Sequence, residues 1–193
     1  MEISLPIETP RLLLRRYRLE DAENIFQDWA SDPEVAKYLS WKPHQSLADT
    51  YAFLEQTQKS WQDRSHLALG MEGKETGRLI GGIGFGYEAR VRVQFGYAIG
   101  RKYWGQGYTS EALRALIPVV FRDSQIHRAY ALCYVKNQGS ARVMEKAGLS
   151  FEGVLRQYFL LPNVSPQVPC DMACYSLLRE EYERLYGAKK IIL

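Results

Sequence analysis

Phe95-Gly-Tyr-Ala-Ile-Gly-Arg-Lys-Tyr-Trp-Gly-Gln-Gly-Tyr-Thr-Ser-Glu-Ala-Leu113 decides the reading of this chain. It runs from a strand that ends near Gly100, through a short loop, into a helix that starts near Thr109. Gly105 and Gly107 flank Gln106 in the loop. Glycine lets backbone approach a ligand closely, and the first amides of a helix have no partner of their own. With the positive end of the helix dipole they form a cradle for a phosphate. A lone Gly-x-Gly would equally describe a tight turn. Here a strand precedes it, a helix follows it, and a second motif lies downstream. A dinucleotide fold would place its glycines in the first β-α turn, whereas these come mid-chain after several strands.

Working outward, Arg11-Leu-Leu-Leu-Arg-Arg-Tyr-Arg18 reads as a first strand. Asp21 to Ser31 reads as a helix with Ala22, Ile25, Phe26 and Trp29 on one side. Glu34 to Leu39 is a short second piece after Asp32-Pro33. Ser46-Leu-Ala-Asp49 is a capping-box variant that opens a helix to about Asp63. Strands follow at His66–Met71, Arg78–Phe85 and Val91–Ile99. The helix from Thr109 to Asp123 contains Pro118, which removes a bond to the Arg114 carbonyl and predicts a kink or local break. Arg128–Val135 is a strand, and Asn137–Lys146 a helix stopped by Gly148. Phe151–Leu161 and Asp171–Leu178 are further strands. Pro162, Pro166 and Pro169 predict a loop between those two and exclude an interior strand. Glu180–Tyr186 closes with a helical turn or two. The pattern is mixed α/β around one sheet, with meandering strands early and β-α-β units late.

At 193 residues the chain has the length of one domain with a full core. Its 46% hydrophobic and 24% charged content are globular values. A formal net charge of +3 suits an anionic small ligand. No dense run of Lys and Arg points to nucleic acid. No apolar stretch is long enough for a bilayer, and Met1-Glu-Ile-Ser-Leu-Pro6 lacks a signal-peptide pattern, so a cytoplasmic location is expected. The three cysteines, Cys133, Cys170 and Cys174, form no disulfide framework. Cys170 and Cys174 are separated by about 13 Å along a strand, too far for a disulfide. The scattered histidines offer no zinc site, so no metal is expected.

The loop Tyr103-Trp-Gly-Gln-Gly-Tyr-Thr-Ser-Glu-Ala112 and the later Asn137-Gln-Gly-Ser-Ala-Arg-Val-Met-Glu-Lys-Ala-Gly148 resemble the GNAT superfamily of acetyl-CoA-dependent N-acetyltransferases. Within it they resemble the Rim-type ribosomal-protein N-terminal acetyltransferases. Glu8-Thr-Pro-Arg-Leu-Leu-Leu-Arg15, Asp32-Pro-Glu-Val35, Ile80-Gly-Gly-Ile-Gly84, His127-Arg128, Phe151-Glu-Gly-Val-Leu-Arg156, Asp171 and Tyr175-Ser-Leu-Leu-Arg-Glu-Glu181 extend the match nearly end to end. The resemblance implies one domain over residues 1–193, with a twisted, mostly antiparallel sheet splayed between its fourth and fifth strands and helices on both faces. Acetyl-CoA would lie where Val93–Ile99 parts from Arg128–Val135. Its binding residues would be Ala98, Ile99, Lys102, Trp104, Gly105, Gln106, Gly107, Tyr108, Thr109, Asn137 and Ser140. A backbone amide near Tyr97 or Ala98 would polarise the thioester. The partners implied are acetyl-CoA and an amine acceptor such as a protein N-terminus, acting on a monomer or homodimer, with no nucleic acid and no membrane.

Three positions depart from the family pattern. Lys102 stands where Gln or Arg is frequent. Met144 stands where many members carry a Tyr that protonates the leaving thiolate. Gln94 stands where members of this branch often carry Glu, and an amide cannot act as a base. Ser140, one helical turn after Asn137, becomes the candidate thiolate acid, and Asn137 is equally readable as a plain helix cap. Glu152, Glu88 and His44 are base candidates only through water. His66 and His127 read as structural. Trp41, Tyr38 and Tyr87 are candidates for the wall of an acceptor groove. The sequence leaves three acceptor readings open: a protein N-terminus, a lysine or a small amine. A non-catalytic acyl-CoA sensor is the alternative from another class.

Overall fold

The computed structural model describes residues 3–186. Eight strands form one sheet: β1 (Ile7–Glu8), β2 (Leu12–Arg15), β3 (His66–Gly73), β4 (Leu79–Ala89), β5 (Arg92–Ile99), β6 (Arg128–Tyr134), β7 (Ser150–Leu161) and β8 (Ser165–Leu178). Their spatial order is β1-β2-β3-β4-β5-β6-β8-β7. Every neighbouring pair is antiparallel except β5 and β6, which run parallel. That parallel pair holds register only over Arg92↔Arg128, Val93↔Ala129 and Gln94↔Tyr130. Past Gln94 the two strands diverge, and the sheet splits where the family resemblance implied the cofactor would lie.

The helices cover both faces. On one side lie α1 (Ala22–Ile25), α2 (Pro33–Ala36) and α3 (Leu47–Asp63), where Ile25, Trp29 and Leu54 pack with Tyr17 and Leu79 of the sheet side. On the other, α4 (Tyr108–Phe121) and α5 (Gln138–Lys146) cover the main core. Leu113, Leu116 and Ile117 of α4 are fully buried against Leu12, Leu14, Phe85 and Val93. Truncating any of the three to Ala would cost about 2–5 kcal/mol. The last helix, α6 (Arg179–Tyr186), stacks Tyr182 on Phe121 of α4. No helix among the described residues is long and apolar enough to cross a membrane.

Local chemistry explains most of the boundaries. Asp49 accepts the Ser46 backbone N–H at 2.9 Å, the returning half of the capping box at the start of α3. Gly148 has φ +94°, its N–H reaches Glu145 O and the Leu149 N–H reaches Met144 O, a Schellman ending for α5. Four expectations need correction. The first strand is shorter than Arg11–Arg18 and pairs with β1, which the sequence pattern did not show; counting β1, the split lies between β5 and β6. The helix from Asp21 continues past Ile25 as a π-turn over Phe26–Ala30, because both the N–H and the hydroxyl of Ser31 bond the Phe26 carbonyl. Helix α4 runs without a break through Pro118. The expected loop at Pro162–Pro169 is mostly strand, with β8 beginning at Ser165. Its pairing with β6 extends only to Tyr134↔Met172, so Pro166 and Pro169 lie in a stretch paired on one side, where a missing N–H is tolerated.

Candidate active site

Gly105 and Gly107 both lie in the left-handed region, with φ +74° and +80°, and Gly107 caps α4. A Cβ at Gly105 would meet nothing within 4 Å, and one at Gly107 would meet only Arg11 Nη2 at 3.6 Å, so the concave side of the turn is open. The first intrahelical bond joins the Glu111 N–H to Gly107 O, which leaves the amides of the first turn without an i−4 partner. The side chains around the turn are occupied in shaping it. Trp104 Nε1 donates to Ile99 O at 2.9 Å, and Gln106 Nε2 to Lys102 O at 2.8 Å. Lys102 Nζ pairs with Asp28 at 2.9 Å. Arg11 donates to Gln106 O, pairs with Glu111 at 2.7 Å and lies 4.2 Å from the centre of the Tyr108 ring. Burial raises the Glu111 pKa, but bonds from Thr9 and Arg11 outweigh it and hold this carboxylate below its ordinary value. What the turn offers an anion is therefore backbone N–H, with Tyr108 and Thr109 in the first turn of the helix.

The split sheet supplies the next groups. The Gly100 N–H bonds Ile80 O on β4 at 2.9 Å. Strand alternation then sends the Tyr97 and Ile99 amides the other way, into the gap, and turns the Ala98 amide toward β4. Across the gap Asn137 caps α5, its Oδ1 accepting the Ser140 N–H at 3.1 Å. Tyr97 Oη lies 2.8 Å from Ser140 Oγ and also donates to Ser140 O at 3.2 Å. Burial pushes the Tyr97 pKa up, so the phenol keeps its proton at neutral pH. Cys133 borders the same space, and burial raises its thiol to about 11. Met144 is fully buried in the core.

A cavity of 380 Å³ passes from this hydroxyl pair through the gap to the opposite face of the sheet. Tyr17, Trp29, Tyr38, Trp41, Phe53 and Phe159 wall it, and Gly82, Gly84 and Gly96 give it a floor without side chains. Among the described residues no Asp, Glu, Lys or Arg lines it. His66 does. Its imidazole lies over β4, with Cε1 3.2 Å from where a Cβ at Gly84 would stand and Cδ2 3.5 Å from the same point at Gly86. The ring has an exposed side, and burial of the remainder lowers its pKa from 6.5. The structural role read for His66 is thus incomplete. The signal was the alternation of Leu67, Leu69 and Met71, which are core residues and turn His66 to the other face. The Tyr97 hydroxyl was also missed, because its partner lies 43 residues away.

Other candidates fall elsewhere. Glu152 is held by both arms of the Arg128 guanidinium and by Ser176 Oγ at 2.7 Å. Arg128 first, and Ser176 with it, depress this carboxyl to about 2, and it borders a separate cleft with Glu88 and Tyr158. That withdraws Glu152 as a base: it is outside the cavity and binds protons too weakly. Glu88 pairs with Arg92 at 3.4 Å. His44 is half-buried behind the wall, bonded to Thr50 at 2.9 Å and packed near Trp41 and Phe53. Tyr38 and Trp41 line the cavity, whereas Tyr87 packs edge-on against Phe85. Gln94 also lines it and accepts from Tyr130 at 3.3 Å. All three cysteines are free and buried, and no group of metal-ligating side chains occurs among the described residues.

Comparison with known proteins agrees with this geometry. Residues 11–150 match the family described as an acetyltransferase (GNAT) domain. YoaA of Bacillus subtilis, an uncharacterised N-acetyltransferase, is 31% identical over 175 residues, covering 90% of this chain and 96% of its own. YdaF of Bacillus subtilis, whose given name proposes a ribosomal N-acetyltransferase, is 25% identical, covering 89% of this chain and 93% of its own. The solved structure of RimL, a ribosomal-protein alpha-N-acetyltransferase in complex with coenzyme A, superposes with a TM-score of 0.78 at 20% identity, covering 91% of this chain and 98% of its own.

Proposed function

The chain belongs to the GNAT family of acetyltransferases and is an acetyl-CoA-dependent N-acetyltransferase; from that premise we propose that its acceptor is the α-amine of a protein or peptide N-terminus. The carrying observation is the charge-free cavity. No carboxylate lines it to hold a lysine ammonium or a polyamine, so an amine that is readily neutral is favoured. The name of RimL gives an alpha-N-protein acceptor, and that of YdaF a ribosomal one.

In this reading the amides from Gly105 to Thr109 hold the pyrophosphate of acetyl-CoA. The Tyr97 N–H polarises the thioester carbonyl, strengthening as negative charge develops on oxygen. The neutral amine attacks the carbonyl carbon, the N–C bond forms and the C–S bond breaks. The leaving thiolate takes a proton from the Tyr97 phenol, directly or through Ser140. Tyr97 thus takes the part that Met144 has no proton to play, and a non-catalytic acyl-CoA binder loses its motive. Ser140 alone would be a weak acid; bonded to a protonated phenol it becomes a relay. Asn137 serves as the cap that presents Ser140 to the gap. No acyl-enzyme is involved, since Cys133 is buried with its thiol pKa raised.

Two peptides of the same sequence test the acceptor, one with a free N-terminus and acetylated lysines, the other with a blocked N-terminus and free lysines. Thiol release at pH near 7.4 is expected with the first and little with the second. Faster release with the lysine-only peptide overturns the reading.

A further inference from the structure

We infer that His66 takes the proton from the attacking amine, through water, and is the base that Gln94 cannot be. This rests on the acceptor reading above. Of the described side chains that line the cavity, His66 alone can accept a proton in the neutral range. Tyr17 and Tyr97 are both pushed up by burial and stay protonated. Cys133 is raised to about 11.

Position supports the role. His66 pairs with Gly86 on β4, and Gly86 pairs with Gln94 on β5. The ring leans over Gly84, whose partner on β5 is Gly96, the residue before Tyr97. One strand spacing of about 4.8 Å separates the column under the imidazole from β5, and the Tyr97 amide faces the gap on the far side of that strand. Gly84, Gly86 and Gly96 put no side chain between them, and the cavity is roomy enough for water, with Tyr17, Gln94 and the imidazole as polar partners among its mostly apolar walls. A chain of waters through the cavity would join the two.

The charge environment leaves the imidazole neutral. On β4 its neighbours Gly84 and Gly86 carry no charge, and Glu88 farther along is paired with Arg92. On β5 Gln94 is neutral and bonded to Tyr130 of β6. At the end of α3, Asp63 is bonded to the Ser65 N–H. Burial lowers the His66 pKa from 6.5, so above that value the ring is an unprotonated base. The base also matches the acceptor. An α-amine near pKa 7.7–8.0 lies closer to this imidazole than a lysine near 10.4 does. In the step itself an N–H proton passes through water to an imidazole nitrogen as the N–C bond forms. Bulk solvent then takes that proton and returns one to Tyr97.

The experiment compares wild type, His66→Ala and His66→Gln on whichever peptide amine the wild type acetylates faster, with acetyl-CoA saturating. A failure of the acceptor reading then appears as a lysine preference in the wild type, and the histidine is still tested. Both variants are expected to bind CoA as the wild type does, which also checks the fold, and to lose about 10²-fold in kcat at pH 7. The wild-type kcat should fall on the acid side with an apparent pKa below 6.5, and that limb should vanish in both variants. Added imidazole should restore part of the His66→Ala rate. An unchanged kcat, or an acid limb that persists in the variants, overturns the inference. If His66→Ala does not fold, the loss of the limb in His66→Gln decides alone.

Discussion

At the scale of single residues, a protonated phenol and a serine 2.8 Å apart stand where the proposed mechanism needs an acid for the leaving thiolate. Tyr97→Phe removes the proton itself and is expected to lower kcat by about 10²-fold. Ser140→Ala removes the relay and should lower kcat less. In both, calorimetric CoA affinity should stay near that of the parent, because an interaction made in the transition state affects turnover and not ground-state binding. The double variant should be no worse than Tyr97→Phe, since the two act as one unit. Additive losses would mean two independent roles. Gly107→Val acts differently. A branched residue at φ +80° is strained by about 1–3 kcal/mol, and its Cβ enters the open face of the turn. CoA affinity should fall by more than about 10-fold. Gln106→Ala, which loses only a bond to Lys102 O, should be mild. Equal affinities for a folded Gly107→Val and the parent would remove the turn from cofactor binding. The glycines were legible in the sequence because they encode a backbone conformation locally. The Tyr97 hydroxyl was not, because its role depends on where the split sheet brings α5.

At the scale of elements, ion pairs hold neighbouring elements together. Arg15 of β2 is clamped by Asp21 at 2.8 Å and by Glu72 of β3, with only 10% of its side chain exposed and 8% of that of Asp21. Arg15→Ala would leave Asp21 buried without its partner, at a cost of about 3–5 kcal/mol. Urea unfolding measures it, and a loss below about 1 kcal/mol would show the pair to be dispensable. At the other edge Glu152 of β7 joins Arg128 of β6 and Ser176 of β8. Its pKa falls from 4.5 to about 2 on folding, chiefly through Arg128. A depressed folded pKa gives stability that is present above pH 4.5 and is lost as pH falls toward about 2. With 39% of the side chain exposed, solvent screening reduces the contribution to about 1 kcal/mol. Glu152→Gln should therefore be less stable than wild type at pH 7, with the gap closing as pH falls through that window. A gap that does not change with pH would mean the pair contributes nothing. Most elements were legible, since periodicity and caps are local. The π-turn after α1 was not, because it hangs on one serine reaching back to Phe26. The start of β8 was obscured by its prolines, whose tolerance depends on how far β6 extends.

At the scale of the whole molecule, the split sheet joins two half-sites. In the proposed function the backbone turn on one side would receive an anion, and the aromatic cavity on the other, lined by no carboxylate among the described residues, would receive an uncharged nucleophile. Half-site one could be read from sequence order. Half-site two could not, since its walls come from the segment after β2, the π-turn, the segment before α3, α3 itself and β7, which only the fold assembles. This asymmetry makes a prediction about pH. Near pH 7.4, deprotonating a lysine costs about 4 kcal/mol and an α-amine under about 1 kcal/mol. A cavity without a carboxylate does nothing to hold a cation while its proton is removed, so that difference should pass into kcat/KM. For the free N-terminus peptide, kcat/KM should rise from pH 6 and level off near about 8, where the α-amine is neutral. For the lysine-only peptide it should still be rising at about pH 10, roughly tenfold per unit, and the two curves should converge at high pH. The measurement is thiol release across that range at substrate concentrations well below KM. Parallel curves for the two peptides would mean that amine basicity does not govern selection, and that contacts along the aromatic walls choose the acceptor instead.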